Sequence, residues 1–434
     1  MASDPRAIID SAPMSHFQWG IITTRVGLNA LDGFDVLSIS FASPGIAAAW
    51  GIDRAALGFV LSMELIGMAI GSLVLGGVAD RIGRRATILA CLAVMACGMF
   101  GASSAHDVTT LSAWRVLTGL GIGGMLAATN AAAAEAANAR RRALCVVLMA
   151  GGYPLGSVIG GSVSAVLLAR YDWRAVFVFG GIVTLAMIPL VLWRAPESVA
   201  FLMHRRPPGA LPRINATLRR MGHPPIAALP EADATRATVP LAQLFDATLR
   251  RTTLVLTIAY FAHIMTFYFI LKWIPKIVVD MGFAPSAAAG VLVWASVGGA
   301  SGSLALGLLT ARVRLVSLTI SAMVLSTILI VAFGRGQTSI GALSAIAAVA
   351  GFATNAGVVG LYALIAQSFP TGVRATATGF VIGVGRGGSA LAPALAGMLF
   401  AAGYLLPTVA ILMALGSAVA AVAIVLLHPR GVAA

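Results

Sequence analysis

Apolar stretches long enough to cross a bilayer dominate this chain of 434 residues. A spanning helix needs roughly 20 predominantly apolar residues. Gly, Pro and charge punctuation divides the chain into about twelve such segments. They fall near residues 19–48, 55–79, 86–104, 109–134, 143–168 and 174–193, then 251–278, 287–311, 314–333, 338–366, 375–401 and 404–428. Only 10% of residues are charged and 59% are hydrophobic, where a soluble domain carries about 25% charge. A water-soluble enzyme is thereby excluded, and the chain reads as an all-α polytopic membrane protein embedded in a lipid bilayer.

The formal net charge of +14 would point to nucleic acid in a soluble protein. That reading needs charge clustered on a folded surface, so no nucleic-acid partner is expected. Cys91, Cys97 and Cys145 sit inside apolar runs, unlike a disulfide framework or metal site. No metal or cofactor is expected. The first eighteen residues are polar and lack the parts of a secretory signal.

The long polar stretch, 194–250, is rich in Pro and Arg and separates six spans from six. The expected organisation is a bundle over 1–193, a linker over 194–250 and a second bundle over 251–434. Loops on one side carry Arg81, Arg84 and Arg85, then Arg140, Arg141 and Arg142, then Arg312 and Arg314. The opposite loops carry singletons: Arg54, Arg170, Arg174 and Arg335. Arginine excess in short loops marks the cytoplasmic side. The linker and both termini are therefore expected inside, with the protein in a bacterial inner membrane as a monomer.

The halves also repeat. GMAIGSLVLGG (67–77) matches GGASGSLALGL (298–308), so that Gly67, Gly71, Ser72, Leu73 and Gly76 recur as Gly298, Gly302, Ser303, Leu304 and Gly307. At nearly the same offset, Glu135, Arg142 and Ala143 recur as Gln367, Arg374 and Ala375. Parallel repeats of this kind place a transporter's substrate site near the bilayer midplane, between the halves.

Four stretches carry a family resemblance. GGVADRIGRR (76–85) resembles the signature between helices 2 and 3 of the major facilitator superfamily, and WRVLTGLGIGG (114–124) its helix-4 motif with a buried Arg115. LDGFD (31–35) and the stretch 361–388 are similar to the aromatic acid:proton symporter family. The resemblance implies two pseudo-symmetric six-helix bundles, alternating access, and proton-coupled uptake of an aromatic carboxylate of the hydroxybenzoate type. It also implies a cytoplasmic latch at Asp80, Arg81 and Arg84, which Glu135 and Arg142 are expected to join. In the second half Ala311 stands where the aspartate would be, so a matching latch there is degenerate.

Ionisable residues inside a membrane are costly, so each is a functional candidate. At about 1.5 Å per residue, Arg386, Asp32, Asp35 and His263 lie roughly 18–24 Å along their spans, and Glu64 about 13 Å from the outer end of its own. Asp32 and Asp35 share a helix face and cannot easily both ionise in low dielectric. They are assigned to proton coupling, with Glu64 and Arg115, which lies nearer an outer end. Arg386 is the always-charged, bidentate donor suited to a carboxylate, unless it is tied to Asp32 or Glu64 in a structural salt bridge. His263, Tyr153, Phe34, Trp294 and Tyr362 are assigned to the substrate pocket, although His263 reads equally well as a hydrogen-bonded core histidine. Lys272 and Lys276, flanking Trp273, read as snorkelling in an interfacial belt, and Arg25 as snorkelling too.

Other readings fit the same residues. One is a symporter of this superfamily for a non-aromatic carboxylate, and another a receptor or sensor with a transporter fold. Drug/proton antiport is disfavoured because Arg386 would repel cations. An enzyme is not expected, since no nucleotide loop, metal-ligand cluster or set of nucleophile, base and orienter is present.

Overall fold

A computed structural model describes residues 4–230 and 241–427. Residues 231–240 of the expected linker and 428–434 of the second bundle lie outside the described residues. Among the described residues all regular structure is helical. A short α1 (Pro5–Ser11) precedes α2 (His16–Trp50), α3 (Arg54–Ile82), α4 (Arg84–Ser103), α5 (Val108–Ala136), α6 (Arg142–Leu168) and α7 (Arg174–Arg194). Two small helices follow, α8 (Val199–Arg205) and α9 (Ala210–Met221), then a 3₁₀ turn at Leu241–Phe245. The second set is α10 (Arg250–Asp280), α11 (Pro285–Leu309), α12 (Leu315–Gly334), α13 (Ile340–Ser368), α14 (Thr371–Ala401) and α15 (Leu406–Leu427).

Eleven of these helices are long and apolar enough to cross a membrane. The helix outside that set is α2, which has 35 residues but carries Arg25, Asp32 and Asp35 in its interior. Its length fits a span; its charges are what lower its hydropathy. They are tolerated because the helix is buried between α6, α7, α10 and α5 rather than facing lipid.

The repeat is visible as a packing device. Gly67 and Gly71 of α3 lie against the carbonyls of Val116 and Leu120 on α5, while Gly298 and Gly302 of α11 lie against those of Ala348 and Phe352 on α13. The approach is reciprocal, with Gly119 against the Glu64 carbonyl and Gly351 against that of Ala295. A Cβ at any of these positions would drive the backbones apart. Close backbone approach through small residues is the usual basis of helix association in lipid.

Helices α2–α7 pack among themselves, as do α10–α15, and the two sets meet through α3 with α14, α6 with α11 and α2 with α10. Hydrogen bonds and ion pairs that join the sets gather on the face away from the linker. Arg54 pairs with Asp280 at 3.0 Å, and the Ala394 N–H donates to Ser62 Oγ at 3.1 Å. Gly58 and Gly397 allow α3 and α14 to touch there, and Arg54 also lies over the Phe400 ring.

The expected linker is not a plain loop. Its helix α9 buries Ala210, Ile214, Thr217, Leu218 and Met221 along one stripe and leaves its arginines out. With α8 and α1 it forms a small apolar core around Ile9, Ile21 and Cys145, sealing the linker-side ends of α2, α5 and α6.

Candidate functional site

The centre of the molecule holds a chain of buried charge. Glu64, Arg115 and Lys272 have fully buried side chains. Glu64 pairs through Oε1 with Arg115 of its own half and through Oε2 with Lys272 of the other, the latter at 3.1 Å. Lys272 also donates to the Val36 carbonyl. Arg115 further donates to the Asp35 carbonyl at 3.1 Å and lies 5.3 Å over the Phe177 ring. One glutamate thus bridges two cationic side chains, one from each half, and ties the halves together.

Beside this chain, Asp32 and Asp35 occupy one buried face of α2. Arg115 reaches the Asp35 backbone but not its carboxylate. Both Asp35 carboxyl oxygens and Oδ1 of Asp32 are without a hydrogen-bond partner. Across the interface Arg386 donates to the Met68 carbonyl at 3.3 Å and lies near Asp32 without an ion pair between them. The guanidinium therefore retains donors for another acceptor.

Tyrosines complete the constellation. Tyr260 and Tyr362 join hydroxyls at 3.1 Å, and Tyr153 from the first half approaches Tyr268 from the second. On α10, Tyr268 and Lys272 are four residues apart and share a face, and Lys272 reaches Glu64 and Val36 of the first half; Tyr260 packs within the second half.

Toward the linker face a second charged cluster surrounds Gly83. This glycine has φ 107°, a conformation only glycine adopts without strain, and the Glu197 carboxylate sits where a Cβ would project. Glu197 accepts the N–H groups of Arg84 at 2.8 Å and Arg85 at 3.2 Å, capping α4. Arg84 pairs with Asp80 at 2.5 Å and Glu135 at 3.6 Å, and Ser198 donates to Glu135 at 2.5 Å. Arg142 is paired with Asp10 of α1 rather than with Glu135. Arg81 is exposed.

Residues 26–343 match the sequence profile of the Major Facilitator Superfamily. The chain belongs to this superfamily. It is 31% identical to a gallate transporter of Pseudomonas putida, over 97% of this chain and 94% of that one. It is 32% identical to the 3-(3-hydroxy-phenyl)propionate transporter of Escherichia coli K12, over 92% of this chain and 91% of that one. A solved structure of the xylose transporter XylE from E. coli, described as partially occluded and inward open, has the same fold. Its TM-score is 0.73 at 17% identity, covering 94% of this chain and 97% of that one.

Within this superfamily fold several residues stand elsewhere than the sequence suggested. Phe34 does not face the central site: it packs edge-on against Phe179 and fills the space left by Gly160 inside the first half. Trp294 is 54% exposed and shares an apolar stripe of α11 with Val297, Leu304 and Leu308, a bilayer-facing pattern. His263 has both ring nitrogens occupied at 2.9 Å, by Ser417 Oγ and the Thr354 carbonyl. It is the hydrogen-bonded core histidine, with no nitrogen left for substrate.

Arg386 makes no salt bridge to Asp32 or Glu64. Lys272 and Trp273 do not lie in an interfacial belt, because the closed interface buries both, and the Trp273 indole donates to the Pro393 carbonyl at 3.2 Å. Lys276 keeps the surface role, paired with Asp280. Arg25 is buried too, lining a cavity with Glu135 and Glu197 instead of reaching solvent. Sequence reasoning missed Tyr268, Glu197 and Asp10 as members of these clusters. The four-residue spacing of Tyr268 and Lys272 was a usable signal for Tyr268; nothing local marked the others.

Proposed function

We propose that this chain is a proton symporter of the inner membrane that takes up an aromatic carboxylate by alternating access of its two halves. The observation that carries the reading is the juxtaposition of unpartnered buried carboxyls at Asp32 and Asp35 with a guanidinium, Arg386, from the opposite half. A carboxylate buried without donors is costly, and a proton removes that cost. The helix face shared by Asp32 and Asp35 therefore loads a proton, and Arg386 takes the substrate carboxylate by charge-assisted hydrogen bonds. With both aboard, the net charge of the site equals that of the empty, deprotonated state, and the halves rock across the membrane without an added charge.

Tyr260, Tyr268, Tyr362 and Tyr153 supply rings for stacking and hydroxyls for a phenolic substrate, each aromatic pair contributing about 0.5–1.5 kcal/mol beyond burial. The names of the gallate and hydroxyphenylpropionate relatives support an aromatic acid as cargo. Glu64, held by Arg115 and Lys272, locks the face away from the linker. The cluster of Asp80, Arg84, Glu135 and Glu197, with Arg142 tied to Asp10 beside it, braces the opposite face, assigned to the cytoplasm with both termini because its loops hold the arginine excess.

Proteoliposome uptake of labelled hydroxybenzoate or gallate under an imposed pH gradient tests the reading. Uptake is expected to rise with acid outside and to collapse with a protonophore. Asp35→Asn and Asp32→Asn should retain exchange of preloaded substrate but lose gradient-driven accumulation. Accumulation that survives gradient collapse, or that is unchanged in both variants, rejects proton coupling.

A further inference from the structure

Where α7 reaches the linker face, a groove of about 180 Å³ opens between the last turn of α7, the start of α4 and helix α9. Three guanidinium-bearing side chains line it: Arg85, Arg213 and Arg220. Arg213 and Arg220 are seven residues apart on α9, with Ala216 between them, so both lie on one side of the helix with a small residue leaving room between. Arg85 lies across the end of α7, donating to the Leu192 carbonyl at 2.7 Å, and Arg220 stacks 4.1 Å over the Phe17 ring. None of the three is in an ion pair with a carboxylate among the described residues. The acid in the groove, Glu197, has its Oε1 already bonded to the N–H groups of Arg84, Arg85 and Ser198. The groove therefore carries an excess of unneutralised positive charge.

Its other wall separates a soluble anion from a lipid. The groove includes Leu192 and Trp193, which are 51% and 66% exposed and continue the exposed stripe of Ile182 and Leu185 up the spanning helix α7. A free anion would meet the arginines but leave this apolar track bare. A molecule with an anionic head and an apolar tail fits both. We propose that this groove binds the phosphate of an anionic phospholipid between Arg85, Arg213 and Arg220, with an acyl chain along α7. Bound there, the lipid clamps α9 and the start of α4 to the membrane boundary. Trp193 lies at the level where indoles anchor to headgroups, and basic pockets on such faces are suited to lipid phosphates.

Purified full-length protein in mild detergent is titrated with phosphatidylglycerol, with phosphatidylcholine of the same chains, and with inorganic phosphate, following the unfolding midpoint. Phosphatidylglycerol is expected to raise the midpoint by a few degrees through preferential binding to the folded state, and the other two to give little shift. Removing both exposed arginines in Arg213→Gln/Arg220→Gln should weaken phosphatidylglycerol about tenfold or more and leave the lipid-free midpoint in place. Ala216→Trp fills the space between the arginines without removing charge and should have the same effect; it decides the matter if the double variant does not fold. A phosphatidylglycerol shift that persists in Ala216→Trp, or one matched by phosphatidylcholine, overturns the site. An equal shift from inorganic phosphate overturns the lipid assignment.

Discussion

The two halves share a fold and a glycine framework, yet treat the same buried position in opposite ways. By the repeat, Asp32 and Asp35 of the first half correspond to His263 and Thr266 of the second. In the second half this position is a completed network. His263 meets Ser417 and Thr354, while Thr266 donates to the Met413 carbonyl at 2.6 Å and accepts the Ser417 N–H at 3.0 Å. In the first half the counterparts of Ser417 and Thr354 are Ala186 and Gly123, which offer no side-chain partner. Both Asp35 carboxyl oxygens and Asp32 Oδ1 are left unsatisfied. Glu64 likewise has Ala295 as its counterpart, so the buried ion-pair chain has no equivalent in the second half. A fully bonded polar network rigidifies, whereas an incomplete one is costly and persists where it has a task. The two scaffolds thus differ in where polar groups are left incomplete: the unpartnered carboxyl oxygens of Asp32 and Asp35 have no counterpart at His263 and Thr266.

This contrast can be broken at graded cost. The largest effect belongs to Arg115→Leu, which leaves a buried carboxylate with one partner fewer. A loss of about 3–5 kcal/mol should appear as a lowered unfolding temperature, partly restored by adding Glu64→Gln. Lys272→Met leaves the Glu64–Arg115 pair intact and is expected to cost less. Its signature is opening of the face away from the linker, measured as faster labelling of a cysteine placed at Ala394. Unchanged labelling would show that the pair does not lock the halves.

Arg386→Ala should weaken substrate binding about 10- to 100-fold, the worth of a charged hydrogen-bond pair, in a direct binding titration, with Arg386→Lys recovering part. His263→Leu removes two hydrogen bonds and should cost about 1–3 kcal/mol of stability while leaving the pH dependence of uptake unchanged. A shifted pH profile in that variant would erase the distinction drawn between the halves. The smallest effect is expected for Asp80→Asn, whose pair with Arg84 is exposed on the acid's side; less than about 1 kcal/mol is at stake, read by the same unfolding assay.

Much of this was legible in the sequence because a bilayer imposes one-dimensional rules. Helix ends fell within a few residues of the expected spans, since apolar length and flanking charge set them locally. The depth of Asp32, Asp35, Glu64, His263 and Arg386 could be counted along each helix. Azimuth was harder. Phe34 and Trp294 lie at suitable depths but on other faces, and a Gly/Ala-rich helix has too weak an apolar stripe to reveal which face is which. The linker misled for a different reason: α9 has the amphipathic spacing of a surface helix, hidden beneath its Pro- and Arg-rich composition.

The sequence by itself determined the class, the approximate spans, the duplication and the scarce charges on which a function could rest. These follow from hydropathy, periodicity and residue type, which are properties of short stretches. Tertiary structure decided partnership: that Lys272 is buried on Glu64 rather than snorkelling, that His263 is satisfied while Asp35 is not, and that Glu197 caps the turn at Gly83. Each depends on residues about ninety or more positions apart being brought within hydrogen-bond range, or on a partner being absent there. A charge in low dielectric takes its meaning from such neighbours, and no local pattern encodes them.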